Sequence, residues 1–341
     1  MKNVKSVLGC LMFLVFMFFI GCATTPKLIT ESFYVPAKDP GIELYVRNKH
    51  PEDVTKFGPE KIVLFVHGAG YCSESVFDLA LNGQSWMDFI AQRGWDVYIM
   101  DLRGYGRSTH PSEMSKPAAE NPPIVNTDVA VKDVGAVVDH ILARRGVARI
   151  NLLGWSWGTA IMGAYTAKNN AKVEHLVLYG PLWLFKGAQP FGPLGAYRRV
   201  TKEMAQKTLR RGVAVEKQKE FLPEAWFDAF WEAAVSADPA GAGQSPPVVP
   251  IPNGALEDVQ KYWMVGKPHY DPASITVPTL VIGAEWDTDL PPYMAPEIFA
   301  NLKNTSVKRM VTIGQGTHWV MIEKNRLQLF REVQLFLEEP R

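Results

Sequence analysis

The chain is 341 residues long, enough for one large domain with an insertion and for a packed core. Its 47% hydrophobic and 21% charged residues describe an ordinary globular protein, and a formal net charge of +1 gives no reason to expect nucleic acid or a strongly charged partner. Seven histidines and three cysteines fall into neither Cys-x-x-Cys nor His-Glu-x-x-His spacing, and there is no internal repeat, so nothing asks for a metal or a repeat architecture.

The chain opens with Lys2 and Lys5 ahead of an almost unbroken apolar run, Val7 to Ile20. That run fits the apolar region of a signal peptide and is short for a membrane span. It ends in Phe19-Ile20-Gly21-Cys22-Ala23, which resembles the lipobox of bacterial lipoproteins; the departure is Phe19, where that family usually has Leu or another aliphatic residue. The resemblance implies a signal peptide over residues 1–21, acylation of Cys22, and an exported protein held on a membrane by its lipid. Ala23 is not the Asp that commonly retains lipoproteins at the inner membrane, which leans toward the outer one. An ordinary signal peptide or an uncleaved anchor are the alternatives. Without residues 1–21 the chain loses two lysines and no acid, and Cys72 is left as the single free thiol, so folding must rest on the core alone.

Residues 22–31 read as a tether. Ser32 to Val46 reads as a hairpin around Asp39-Pro40-Gly41. Lys61–Val66 is an apolar strand ending in His67-Gly68-Ala69-Gly70, followed by a helix expected from about Ser75 to Arg93 and closed by Gly94. Asp96–Met100 is the next strand and leads into Asp101–Ser108. Asp128 to Arg145 has helical spacing. Ala148–Leu153 is a strand that runs into Gly154-Trp155-Ser156-Trp157-Gly158, with a helix starting at Thr159, and Glu174–Tyr179 is a further strand. The alternation then stops. Residues 182–270 are rich in aromatics, prolines and charge, with helical patches around 196–211 and 223–235. Gln244–Pro252 cannot be a central strand, because each proline lacks a ladder donor, and reads as an ordered loop. Alternation resumes at Thr279–Gly283 and Lys308–Ile313 and finishes in a helix from about Met321 to Glu338. This pattern predicts an α/β protein, a mostly parallel sheet with helices on both faces. The core is expected in 32–181 and 271–341, with a lid or cap insertion at 182–270.

A Gly-x-Ser-x-Gly turn between strand and helix is a nucleophile elbow, which holds a serine hydroxyl clear of the sheet. His67-Gly68, the Asp101–Ser108 loop, Gly154–Gly158, Asp287 after a late strand and His318 after the last one lie at strand ends across residues 61 to 318. With these features in this order the chain resembles an α/β-hydrolase. The resemblance implies Ser156 as nucleophile, His318 as its base and Asp287 as the acid that orients the imidazole, in the order that fold uses. Gly283 to Asp287 is one residue longer than the commonest acid loop, so Asp289 and Glu285 remain rivals. The oxyanion donors are expected to be the backbone N–H groups of Trp157 and Ala69, with Gly70 as second choice for the latter. His67 and Arg103 are expected to brace the site, and Cys72 to be an inert packed thiol.

The favoured chemistry is cleavage of a carboxylic ester through an acyl-enzyme, on a small, apolar acyl substrate, with no cofactor or metal in the mechanism. The alternatives are an aminopeptidase or amidase, a carbon–carbon hydrolase, or a non-catalytic binding protein on the same fold. An aminopeptidase would need carboxylates for a substrate amine, and Glu203, Glu220, Glu224 and Asp228 are available in the insertion. The insertion's aromatics, Trp183, Trp226, Trp231 and Trp263 among them, suit an apolar cleft but are expected mostly to form the insertion's own core.

Overall fold

The computed structural model describes residues 25–187 and 192–339. Ten strands occur in chain order: β1 (Leu28–Pro36), β2 (Glu43–Pro51), β3 (Ile62–Val66), β4 (Asp96–Met100), β5 (Ile150–Trp155), β6 (Val173–Tyr179), β7 (Tyr197–Val200), β8 (Val249–Pro252), β9 (Thr279–Ala284) and β10 (Lys308–Ile313). Eight of them form one sheet in the order β1-β2-β4-β3-β5-β6-β9-β10. β1, β2 and β4 pair antiparallel, and every pairing from β4 to β10 is parallel. Every residue of β3, β4, β5 and β6 is buried. That is why these strands read as continuous apolar runs: a parallel sheet covered on both faces leaves no polar side.

The covering helices of the core are α1 (Ser73–Phe77), α2 (Trp86–Ala91), α3 (Thr127–Arg145) and α4 (Trp157–Lys168) in the first part. α3 starts where Asn126 Oδ1 accepts the Val129 N–H at 3.0 Å and stops at Gly146, whose φ is 66°. The single helix expected from Ser75 to Arg93 is two helices. Asn82 and Gly83 both take left-handed φ, 52° and 78°, which no helix continues through. Ser85 and Asp88 then start α2 with a reciprocal capping box. Apolar spacing ran through the break and concealed it.

Between β6 and β9 the chain adds α5 (Lys202–Leu209), α6 (Gln218–Phe221), α7 (Glu224–Ser236), α8 (Pro239–Ala242), α9 (Gly254–Lys261) and the ribbon of β7 with β8. The helical patch expected at 196–211 opens as β7 before turning into α5. The proline-rich Gln244–Pro252, read as a loop, contributes β8. Its prolines are tolerated because it pairs only with β7, so half of its backbone needs no ladder partner. Phe227, Phe230 and Trp263 are buried, but in an apolar core shared with the sheet and not one of the segment's own: Phe230 packs on Tyr71 and Trp319 with ring centroids 4.8 and 6.1 Å apart. It is tied to the core through Asp258 Oδ2, which accepts the Thr127 N–H at 2.7 Å, and through Ala196 N–H donating to Ala118 O at 2.8 Å.

The second part of the core adds α10 (Met294–Asn301) and α11 (Arg326–Leu337). The last helix begins later than Met321, because Val320–Ile322 is a single 3-10 turn and Glu323 is turned inward onto Thr317. Among the described residues no helix is long and apolar enough to cross a membrane. The expected signal peptide and Cys22 lie outside the described residues.

Candidate active site

The carboxyl ends of β3, β5, β6, β9 and β10 face one way, and the loops that leave them meet there, as open α/β sheets dictate. Ser156 follows the last residue of β5 with φ 58° and ψ −125°, a sharp and strained turn into α4. The flanking glycines allow it: a Cβ on Gly158 would stand 2.5 Å from the Val66 carbonyl oxygen, so only glycine lets α4 begin this close to β3. Gly68, in the loop after β3, lies hard against the serine. A Cβ there would be 2.7 Å from Ser156 Cβ and 3.1 Å from its Oγ.

His318 sits in the loop after β10 and Asp287 in the loop after β9. Asp287 Oδ2 accepts the His318 Nδ1–H at 2.7 Å, and Asp287 Oδ1 accepts the N–H groups of Asp289 at 3.0 Å and Leu290 at 2.8 Å. Both side chains are buried. Burial alone would lower the imidazole's pKa, but the Asp287 carboxylate outweighs it and holds the pKa above its ordinary value. The backbone of His318 is clamped from the elbow's own strands: Trp155 Nε1–H donates to its carbonyl at 3.0 Å and Tyr179 Oη–H at 2.9 Å. Its ring lies against Gly180, where a Cβ would be 3.1 Å from Cε1, and against the Trp155 ring with centroids 5.2 Å apart. No hydrogen bond between Ser156 and His318 forms among the described residues; in enzymes without substrate this contact is commonly loose.

The rival acids are committed elsewhere. Asp289 pairs with Arg211 and accepts from Trp319 Nε1 at 3.4 Å, while Glu285 Oε2 accepts the Gln315 N–H at 2.7 Å. Trp157 is the first residue of α4, so its N–H has no acceptor within the helix. Ala69 follows Gly68 directly, and Gly68 abuts Ser156, so the loop with the second expected donor runs beside the serine. His67 is buried, donates from Nδ1 to Gly68 O at 2.7 Å and accepts the Leu102 N–H on Nε2 at 3.1 Å. Burial pushes its pKa down to about 4, so it stays neutral and braces the loop. Arg103 braces as well: its Nε–H reaches Asp133 Oδ2 at 2.9 Å, and Nη1 reaches Asp39 Oδ2 at 2.7 Å. The Cys72 thiol is buried, and burial drives its pKa up to about 12.

The four carboxylates weighed for amine recognition are all exposed; Asp228 pairs with Lys202 at 2.7 Å and Glu224 with Arg210 at 3.1 Å. A surface groove of about 600 Å³, lined by Lys217, Glu220, Phe221, Trp286 and Lys324, contains none of Ser156, His318 or Asp287. Sequence reasoning missed the groups that hold the imidazole in place, Trp155 Nε1, Tyr179 Oη and Gly180. Their position at the ends of β5 and β6, flanking the elbow, was the available signal.

A family model described as alpha/beta hydrolase fold matches residues 61–325. The chain belongs to the α/β-hydrolase fold family. Its fold is similar to that of a serine hydrolase involved in carbazole degradation, at 18% identity over 91% of this chain and 99% of the other, with a TM-score of 0.61. It is similar to bromoperoxidase from Bacillus anthracis, at 18% identity over 91% and 100% of the two chains and a TM-score of 0.62. An esterase from Exiguobacterium antarcticum aligns at 17% identity over 91% and 100%, with a TM-score of 0.59. At these identities the likeness is one of fold. What this hydrolase fold does here must be argued from its site.

Proposed function

We propose that the chain is a serine hydrolase that cleaves a carboxylic ester through an acyl-enzyme on Ser156. The observation that carries this reading is the buried 2.7 Å contact between His318 Nδ1 and Asp287 Oδ2, with the His318 backbone carbonyl held by Trp155 and Tyr179 from β5, which leads into the serine, and its neighbour β6. Asp287 fixes the tautomer, leaving Nε2 to act as base. In the first step Ser156 Oγ bonds to the ester carbonyl carbon while its proton passes to Nε2. The oxyanion is received by the N–H groups of Trp157 and Ala69. Collapse expels the alcohol, which takes the proton from Nε2. Water then repeats the sequence on the acyl-enzyme, releasing the acid and restoring Ser156. A single oxyanion donor is worth about 10²–10³ in turnover in such sites.

The segment at 182–270 would act as the lid over this site, and its buried aromatics favour an apolar acyl group. Acylation at Cys22 would hold the enzyme on a bacterial membrane, at the periplasmic face or the cell surface; the tether would be shorter than the expected 22–31, because Leu28–Glu31 already belong to β1 and pair with β2.

The test is turnover of aryl esters of rising acyl length by the wild type and by Ser156→Ala, with covalent labelling of Ser156 by a fluorophosphonate alongside. Turnover and labelling that both vanish in the variant are the expected result. Full ester turnover by Ser156→Ala overturns the reading.

A further inference from the structure

Arg198, on β7, is the residue whose charge the site described so far does not use. Its Nη2 donates to Ala69 O at 2.7 Å, and its Nη1 donates to Pro252 O at 3.3 Å and Asn253 Oδ1 at 3.0 Å. All three acceptors are neutral. Among the described residues no carboxylate pairs with Arg198. Three other cations of this segment do pair with carboxylates: Arg211 with Asp289, Arg210 with Glu224 and Lys202 with Asp228. A guanidinium stays charged when desolvated, so a partly buried and uncompensated one is costly unless an anion meets it.

Its neighbours place this charge at the loop expected to carry an oxyanion donor. The loop runs Gly68-Ala69-Gly70-Tyr71. Gly68 abuts Ser156, a Cβ on Gly70 would be 3.7 Å from the Trp319 ring, and Ala69 O is held by Arg198. Tyr71 and Tyr105 lie within electrostatic reach of the guanidinium. Tyr71 packs on Trp319 with ring centroids 5.6 Å apart, and Tyr105 packs on His67 at 4.7 Å. The Tyr105 hydroxyl is buried and has no hydrogen-bond partner among the described residues. A guanidinium with no carboxylate partner and an orphaned hydroxyl beside one loop offer what a carboxylate takes up: a charge-assisted N–H donor and an O–H donor. One uncompensated positive charge matches a monoanion better than a phosphate dianion.

We propose that Arg198 and Tyr105 form a carboxylate subsite next to the oxyanion loop, so that the preferred substrate is an ester that also carries a free carboxylate. This rests on the ester-hydrolase reading and names its substrate class. It also gives β7 and β8 a purpose, since the ribbon delivers Arg198 and the Pro252-Asn253 acceptors that hold one end of its guanidinium.

The experiment compares kcat/KM for matched esters with and without the acid. On the acyl side, monomethyl adipate is set against methyl hexanoate. On the alcohol side, acetoxybutanoate is set against butyl acetate. The wild type should favour the acid on at least one side by on the order of 100-fold. Arg198→Gln should collapse that ratio toward one, Arg198→Lys should retain part of it, and Tyr105→Phe should lower it about tenfold. A wild-type ratio near one on both sides overturns the proposal. So does a ratio that survives Arg198→Gln while both rates fall together, which would make Arg198 a brace for Ala69 alone. If Arg198→Gln does not fold, competitive inhibition of wild-type methyl hexanoate turnover by free adipate, against none by adipamide, gives the same decision. Should no ester turn over, the ester reading fails separately, and calorimetric binding of adipate to the wild type and to Tyr105→Phe still decides the subsite.

Discussion

At the scale of single residues, the contest among Asp287, Asp289 and Glu285 shows what spacing could and could not convey. The sequence offered three acids within one loop. The structure separates them by partner: one imidazole for Asp287, an arginine for Asp289, a backbone N–H for Glu285. A long-range partner such as Arg211 leaves no local trace in the sequence, whereas the elbow is local and was fully legible. The electrostatics of the pair make a pH prediction. Because Asp287 holds the His318 pKa above its ordinary value, the neutral base needed for attack is lost as pH falls through that raised pKa. The acid limb of kcat/KM should therefore lie above the ordinary imidazole range. In Asp287→Asn only the weaker pull of the Asp289 carboxylate is left to oppose burial, so the limb should move to lower pH while kcat drops by on the order of 10³-fold or more. A pH–rate profile of both proteins checks the two shifts together; an unmoved limb would separate Asp287 from the base.

At the scale of elements, the strands of the parallel sheet were legible, whereas β7 and β8 of the two-stranded ribbon read as a helical patch and a loop. A fully buried parallel strand is an apolar run bounded by breakers, and β3, β4, β5 and β6 are that and little else. The interruption between α1 and α2 was missed because the apolar run Leu79-Ala80-Leu81 continues the helical spacing into it, although only Leu81 of that run is buried. The start of α11 was missed for a different reason, a carboxylate turned inward. Glu323 accepts the Thr317 N–H at 3.2 Å, next to the base, and burial pushes its pKa up to about 8. A carboxyl whose pKa is raised on folding keeps its proton in the folded state, so stability falls as pH climbs from about 4.5 to about 8. Glu323→Gln keeps an acceptor for Thr317 and cannot ionise. Its Tm relative to wild type should rise across that window, reaching a gain of about 2–4 °C or more at the upper end. Melts at the two ends of the window measure it; a constant difference would refute the assignment.

Across the whole molecule, the site is assembled from residues as far apart as His67 and His318, and the sheet order is what brings their loops together. The frame around it depends on buried ionic braces. Arg103 and Asp133 are nearly sealed from solvent and bonded through both carboxylate oxygens. Arg103→Ala would strand the Asp133 charge in the interior and should cost about 3–5 kcal/mol, read as a lower urea midpoint with an unchanged slope. A loss under 1 kcal/mol would show the brace to be dispensable. The α/β class could be read from alternation alone, but the path of the inserted segment could not, because its contacts to the core, such as Asp258 on Thr127 and Arg198 on Ala69, join distant stretches.

That inserted segment leaves the sheet after Tyr179 and returns at Thr279, and β6 and β9 are adjacent strands, with Tyr179 opposite Ile282. The two strands are parallel, so the segment leaves at the carboxyl end of β6, where the site lies, and must cross back before β9 can begin beside Leu176. Any replacement that makes the same crossing, short or long, could be fitted without rethreading the sheet or shifting the loops that carry Ser156, Asp287 and His318. On the proposed reading, the stretch that would choose the substrate and the stretches that would break its bond are thereby different parts of one polypeptide.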